Sequence, residues 1–103
     1  MIAGGLSSQL DLVLGEHQRP PDQLITEVMA LCKTPEFINS IRLWFEAVGL
    51  AVRGHEPYAS IAKKIGQTWI DWIGSRLSAE HKDKTMATFA EIEGRLMLYL
   101  IGV

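Results

Sequence analysis

With a single cysteine, Cys32, among 103 residues, the chain has nothing to form an intrachain disulfide with, so an apolar core must hold the fold. Its place in an apolar helical pattern reads as a buried small hydrophobe, and a reducing, cytoplasmic setting is expected. Basic charge is also scarce. Ten Lys and Arg against 12 Asp and Glu leave a formal net charge of −2, with no positive field to draw in phosphates. Direct nucleic-acid binding is therefore not expected. The densest apolar stretch, Leu96 to Ile101, is far shorter than the roughly 20 residues of a spanning helix. The amino terminus has no basic region followed by an apolar run, so neither an export signal nor a membrane partner is expected.

Catalytic signatures are missing as well. There is no glycine-rich phosphate loop ending in Lys-Ser or Lys-Thr, no GxSxG elbow and no HExxH pair. His17, His55 and His81 fall in expected linkers or turns, without a second His or an acid on a shared helical face. They read as solvated loop histidines, and no metal, no cofactor and no enzymatic activity is expected.

What is present is apolar and helical. Apolar residues make up 48% of the chain and charged residues 21%, which excludes a disordered polyampholyte. A mean hydropathy of +0.11 is high for so small a chain and points to apolar surface buried against a partner. Proline and glycine punctuate the sequence while strand-like alternation is rare, so the fold class expected is all-α, an antiparallel bundle of about five helices. The first is expected over Ser7 to Leu14, closed by Gly15. A Pro-rich linker follows, because Arg19-Pro20-Pro21 enforces extended backbone. The second runs from Pro21 or Asp22 to Lys33. Thr34 is expected to cap a third from Pro35 to Arg53, stopped at Gly54. The fourth spans Pro57 to Leu77, and after a polar turn at Ser78 to Asp83 the fifth reaches Ile101. Residues 1–21 thus read as a short helix and linker, and 22–103 as the functional helical domain.

In the third helix, Asn39, Arg42, Glu46, Gly49 and Arg53 form a narrow polar strip, and most of the remaining circumference is apolar. Arg42 and Glu46 read as a surface ion pair. Trp44 and Phe45, with Met29 and Cys32, can be plain core or the adaptable wall of a ligand cavity. The fourth helix confines its polar residues to Ser60, Lys64, Gln67, Asp71 and Ser75, while Ala62 and Gly66 permit close helix approach. Its Trp69 and Trp72 read as core or interface. In the fifth, Lys84, Thr88, Glu91 and Arg95 form the wet strip, with Glu91 and Arg95 ordered for an i,i+4 pair. Glu93 is the unusual acid, sharing its side with Met86, Ala90, Met97 and Ile101. Either an Arg pairs with it across a helix interface, or it lies at the edge of the apolar face. Two helices apolar over more than half their circumference point to self-association, with a twofold contact the simplest form.

The segment TPEFINSIRLWFEAVGLAVRGHEPYASIAKKIGQTWIDWIGSRL, with a proline-marked break before a long helix of spaced tryptophans, and the segment FAEIEGRLMLYLIG, with Glu93-Gly94 before an apolar end, resemble the carboxy-terminal regulatory domain of TetR-type transcriptional repressors. The resemblance runs from about Asp22 to Gly102. The family's sequence signature lies in an amino-terminal helix-turn-helix that nothing here matches, so DNA binding does not carry over. The resemblance implies a fragment of a longer regulator or a stand-alone relative. It implies a homodimer whose last two long helices form an intersubunit four-helix bundle, and a pocket for a hydrophobic small-molecule effector. It places Ile65, Trp69, Ile73, Phe89, Leu96, Met97 and Leu100 near the dimer seam, and Met29, Cys32, Ile41, Trp44, Phe45 and Val48 near the pocket. The alternative from another class is a helical protein-interaction module with no ligand.

Overall fold

A computed structural model describes residues 2–103, and their side chains from Ser8 onward. Five α-helices follow one another: α1 (Ile2–Leu14), α2 (Pro21–Cys32), α3 (Pro35–Val52), α4 (Tyr58–Arg76) and α5 (Thr85–Ile101). A short 3₁₀ segment, Ala79–Lys84, occupies the expected polar turn before α5. Pro21 and Pro35 each stand at the start of a helix, where the missing N–H would have had no intrahelical partner. Thr34 holds the N-cap position of α3, but its hydroxyl donates back to the Leu31 carbonyl at 2.7 Å and makes no cap bond. It therefore closes the end of α2 instead of opening α3. The first helix begins earlier than the Ser7 start expected from its cap.

The core is shared by every helix. Leu10 of α1, Leu24 and Val28 of α2, Phe37 and Ile41 of α3, Ile65 and Ile73 of α4, and Ile92 and Leu96 of α5 are all buried. The α3 helix packs along α4, and α5 lies against both α2 and α4. Gly66 of α4 faces the Trp44 ring, with 4.0 Å between the ring edge and the point where a Cβ would lie, so the small residue of α4 is used inside the chain.

Arg19 organises the linker. It is 2% exposed, the most buried charged side chain described. Gly15 ends α1 at φ +79°, a left-handed conformation costly for residues with a Cβ, and turns the chain so that the guanidinium meets the end of α1. Arg19 Nη2 donates to the carbonyls of Leu14 at 3.3 Å, Gly15 at 3.2 Å and His17 at 2.7 Å, while Nη1 pairs with Glu27. Its own backbone bridges to the end of α4, with Arg19 N–H to the Arg76 carbonyl at 3.0 Å and Ser78 N–H to the Arg19 carbonyl at 3.1 Å. A second lock joins α1 to α4: Asp11 Oδ1 accepts from Trp72 Nε1 at 2.9 Å and from Arg76 Nε at 3.0 Å. Among the described residues no helix is long and apolar enough to cross a membrane.

Candidate functional site

Between α3, α4 and α5, with α2 as its floor, the core leaves a cavity of about 20 Å³. Its walls are Val28 and Cys32 of α2, Ser40, Ile41 and Trp44 of α3, Ile65, Trp69, Trp72 and Ile73 of α4, and Phe89, Ile92, Glu93 and Leu96 of α5. All three tryptophans of the chain line it. Trp69 and Trp72 meet edge to face with 5.9 Å between centroids, a favourable aromatic arrangement that stiffens the α4 wall. A volume of this size holds about one water molecule, far below the roughly 300 Å³ of a small-molecule site.

One acid interrupts the apolar wall. Glu93 Oε2 accepts a hydrogen bond from Trp44 Nε1 at 2.9 Å, tying α5 to α3. Burial pushes the Glu93 carboxyl above the usual glutamate range, and the indole bond pulls partly the other way. Burial, with the Glu93 charge adding to it, pushes the Cys32 thiol up to about 12. Cys32 is therefore a neutral, inert part of the wall. Of the two alternatives open for Glu93, neither describes it fully: it has a partner across a helix interface, but that partner is an indole and not an arginine.

Of the expected pocket residues, Cys32, Ile41 and Trp44 line the cavity. Phe45 and Val48 pack half-buried against the core outside it. Met29 borders an open groove on the other side of α2, with Lys33, Arg95 and Tyr99, where the Lys33 ammonium lies 4.7 Å from the Tyr99 ring centroid. Of the expected seam residues, Ile65, Trp69 and Ile73 of α4 and Phe89 and Leu96 of α5 form cavity wall, with α3 packed along α4. Leu100 is half-buried against the core. Met97 alone of the seven is exposed, at 45%.

Met97 belongs to a longer feature. Met86, Ala90, Gly94, Met97 and Ile101 follow each other at helical spacing along the outer side of α5. Met86 is 61% exposed and Ile101 67%, and a Cβ placed on Gly94 would have no neighbour within 4 Å. The arc carries no charge. The Arg95–Glu91 ion pair, 2.9 Å long and spaced as expected, borders it on one side and Glu93 on the other. The outward side of α4, by contrast, carries exposed Ser60, Lys64, Gln67, Asp71 and Ser75.

The remaining polar candidates are dispersed. Arg42 donates to Asn39 Oδ1 at 3.0 Å, so the nearer amide takes the bond expected for Glu46. His17 and His55 are exposed, as loop histidines should be. His81 is not: it is half-buried in the 3₁₀ segment, its Nδ1 has no hydrogen bond, and Glu80 Oε1 stands 3.8 Å away. The described residues contain no group of three His, Cys, Asp or Glu able to hold a metal.

No family model, curated protein or solved structure matches the chain.

Proposed function

We propose that this chain is the ligand-sensing, homodimerising domain of a TetR-like transcriptional regulator. The observation that carries the reading is that α5 is apolar on two opposite sides. Phe89, Ile92 and Leu96 close the cavity from one side, while Met86, Ala90, Met97 and Ile101 are exposed on the other with Gly94 half-buried among them. A helix that needed only to complete a core would carry charge on its outer side. The uncharged arc fits a second copy of the same helix, crossing where Ala90 and Gly94 leave room and flanked by methionines that adapt to one another. A hydrophobic molecule entering the cavity presses on the wall residues that α3 and α5 supply, and any displacement of α5 moves the dimer contact. Such a ligand shifts the pair between arrangements to the extent that it binds one better than the other. Catalysis and direct nucleic-acid contact by this chain have no part in the proposal.

The experiment is a tryptophan fluorescence titration with a panel of hydrophobic compounds, since Trp44, Trp69 and Trp72 all report from the cavity wall. A saturable change with some members is expected. A flat response throughout would refute ligand sensing. The closed volume of about 20 Å³ favours a second reading in that event, a ligand-free interaction module that uses the same outer arc of α5.

A further inference from the structure

Resting on the ligand-sensing reading, we propose that the molecule taken by the cavity is an apolar amine, whose ammonium group replaces the Trp44 indole as the partner of the Glu93 carboxylate. The cavity wall offers many apolar contacts and a single carboxylate, and no Lys, Arg or His lines it. A carboxylate has about four acceptor sites, and Glu93 uses one of its oxygens on a single neutral donor. The ion pairs among the described residues involve Asp11, Glu16, Glu27, Glu80 and Glu91, and none involves Glu93. Of the other indoles on the wall, that of Trp72 is committed to Asp11. The site therefore has an acceptor without a cation in surroundings where a charge-assisted hydrogen bond is strong. A carboxylic acid of the same shape would meet like charge there.

The position of Trp44 supplies the way in. Its side chain keeps 8% exposure and Glu93 is only half-buried, so their hydrogen bond lies at the rim of the cavity. On the α4 side the ring meets Gly66, which has no side chain to trap it. Swinging the indole outward vacates one of the three tryptophan rings of the wall and frees the Glu93 oxygen that accepted from it. An ammonium group restores the lost bond with a charged donor. A hydrocarbon leaves the acid buried without a partner.

The test is calorimetric titration of the whole chain with arylalkylamines, from benzylamine to diphenylpropylamine, against the alcohols and carboxylic acids of the same skeletons. Amines should bind at least about tenfold tighter than the matching alcohols, and the acids weakest. Glu93→Gln, whose amide oxygen still accepts from Trp44, should abolish the preference for an amine over the matching alcohol. Alcohols or acids binding as tightly as amines would overturn the amine assignment and leave ligand sensing intact. So would a preference that survives in Glu93→Gln. No saturable binding by any of the three classes would overturn both. The comparison among the classes on the unmodified chain decides the matter even if the variant fails to fold.

Discussion

The Arg19 guanidinium holds Glu27 and three backbone carbonyls at the end of α1 in a place almost closed to water. Replacing Arg19 with alanine removes the donor to those carbonyls and leaves Glu27 with the Gln23 amide alone, which should cost about 3 kcal/mol or more in urea-induced unfolding. A loss below about 1 kcal/mol would mean that water replaces the guanidinium freely. Cys32, with 1% exposure and its thiol raised to about 12, should resist aromatic disulfide reagents in the native chain at neutral pH and react at once in denaturant. Glu93 sets a pH dependence. Its carboxyl titrates higher in the folded chain than in the unfolded one, so the folded state holds more protons between the two values. The stability it contributes is complete below the unfolded value and is lost as pH rises through the folded one. Cys32 on the facing helix keeps its proton throughout that range. Glu93→Gln should therefore gain stability over the parent as pH climbs from the usual glutamate range towards neutrality, and denaturation midpoints at stepped pH will show it. A difference that is flat with pH would contradict the raised carboxyl. Of these residues, the burial of Cys32 was legible beforehand and that of Arg19 was not. Cys32 announces its burial through its apolar neighbours, whereas Arg19 sits between polar linker residues, and its burial depends on Gly15 turning it onto a helix end distant from any periodic pattern.

At the scale of elements, helix positions follow closely from proline and glycine placement, and α2 to α5 begin and end within a residue or two of expectation. Which apolar side of a helix meets which neighbour was not legible. The α4 face of Ile65, Trp69 and Ile73 suits a partner subunit and suits α3 equally well, and α3 is already within reach of it. Periodicity identifies a face that must be covered but not the element that covers it. The same limit applies to Trp44 and Glu93, whose 49-residue separation leaves no local sign of their bond. The outer arc of α5 escapes the ambiguity, because among the described residues Met86, Met97 and Ile101 stay exposed on it. Ala90→Glu with Met97→Glu places two acids on that arc and should convert a dimer to a monomer. Since neither residue is buried, the helical circular dichroism should stay unchanged. A helical signal lost together with the dimer would mean that the arc supports the fold itself. Ile73→Glu is a poor probe of the dimer contact, because Ile73 is 2% exposed and a charge there would break the core.

Over the whole molecule the chain exposes 6100 Å², close to the roughly 5,800 Å² that size scaling gives for a folded monomer of 11.5 kDa. The core is therefore nearly complete within one chain. The outer arc of α5 lies on the side of that helix away from Phe89, Ile92 and Leu96, which wall the cavity. Sedimentation equilibrium at micromolar concentration, on the parent chain beside the Ala90→Glu, Met97→Glu double variant, tests the two working sides of α5 most directly. The parent is predicted to show about twice the 11.5 kDa chain mass and the double variant the single mass. A parent that stays at the single mass, or a double variant that keeps the doubled one, would contradict the assignment of α5 as the dimerising helix.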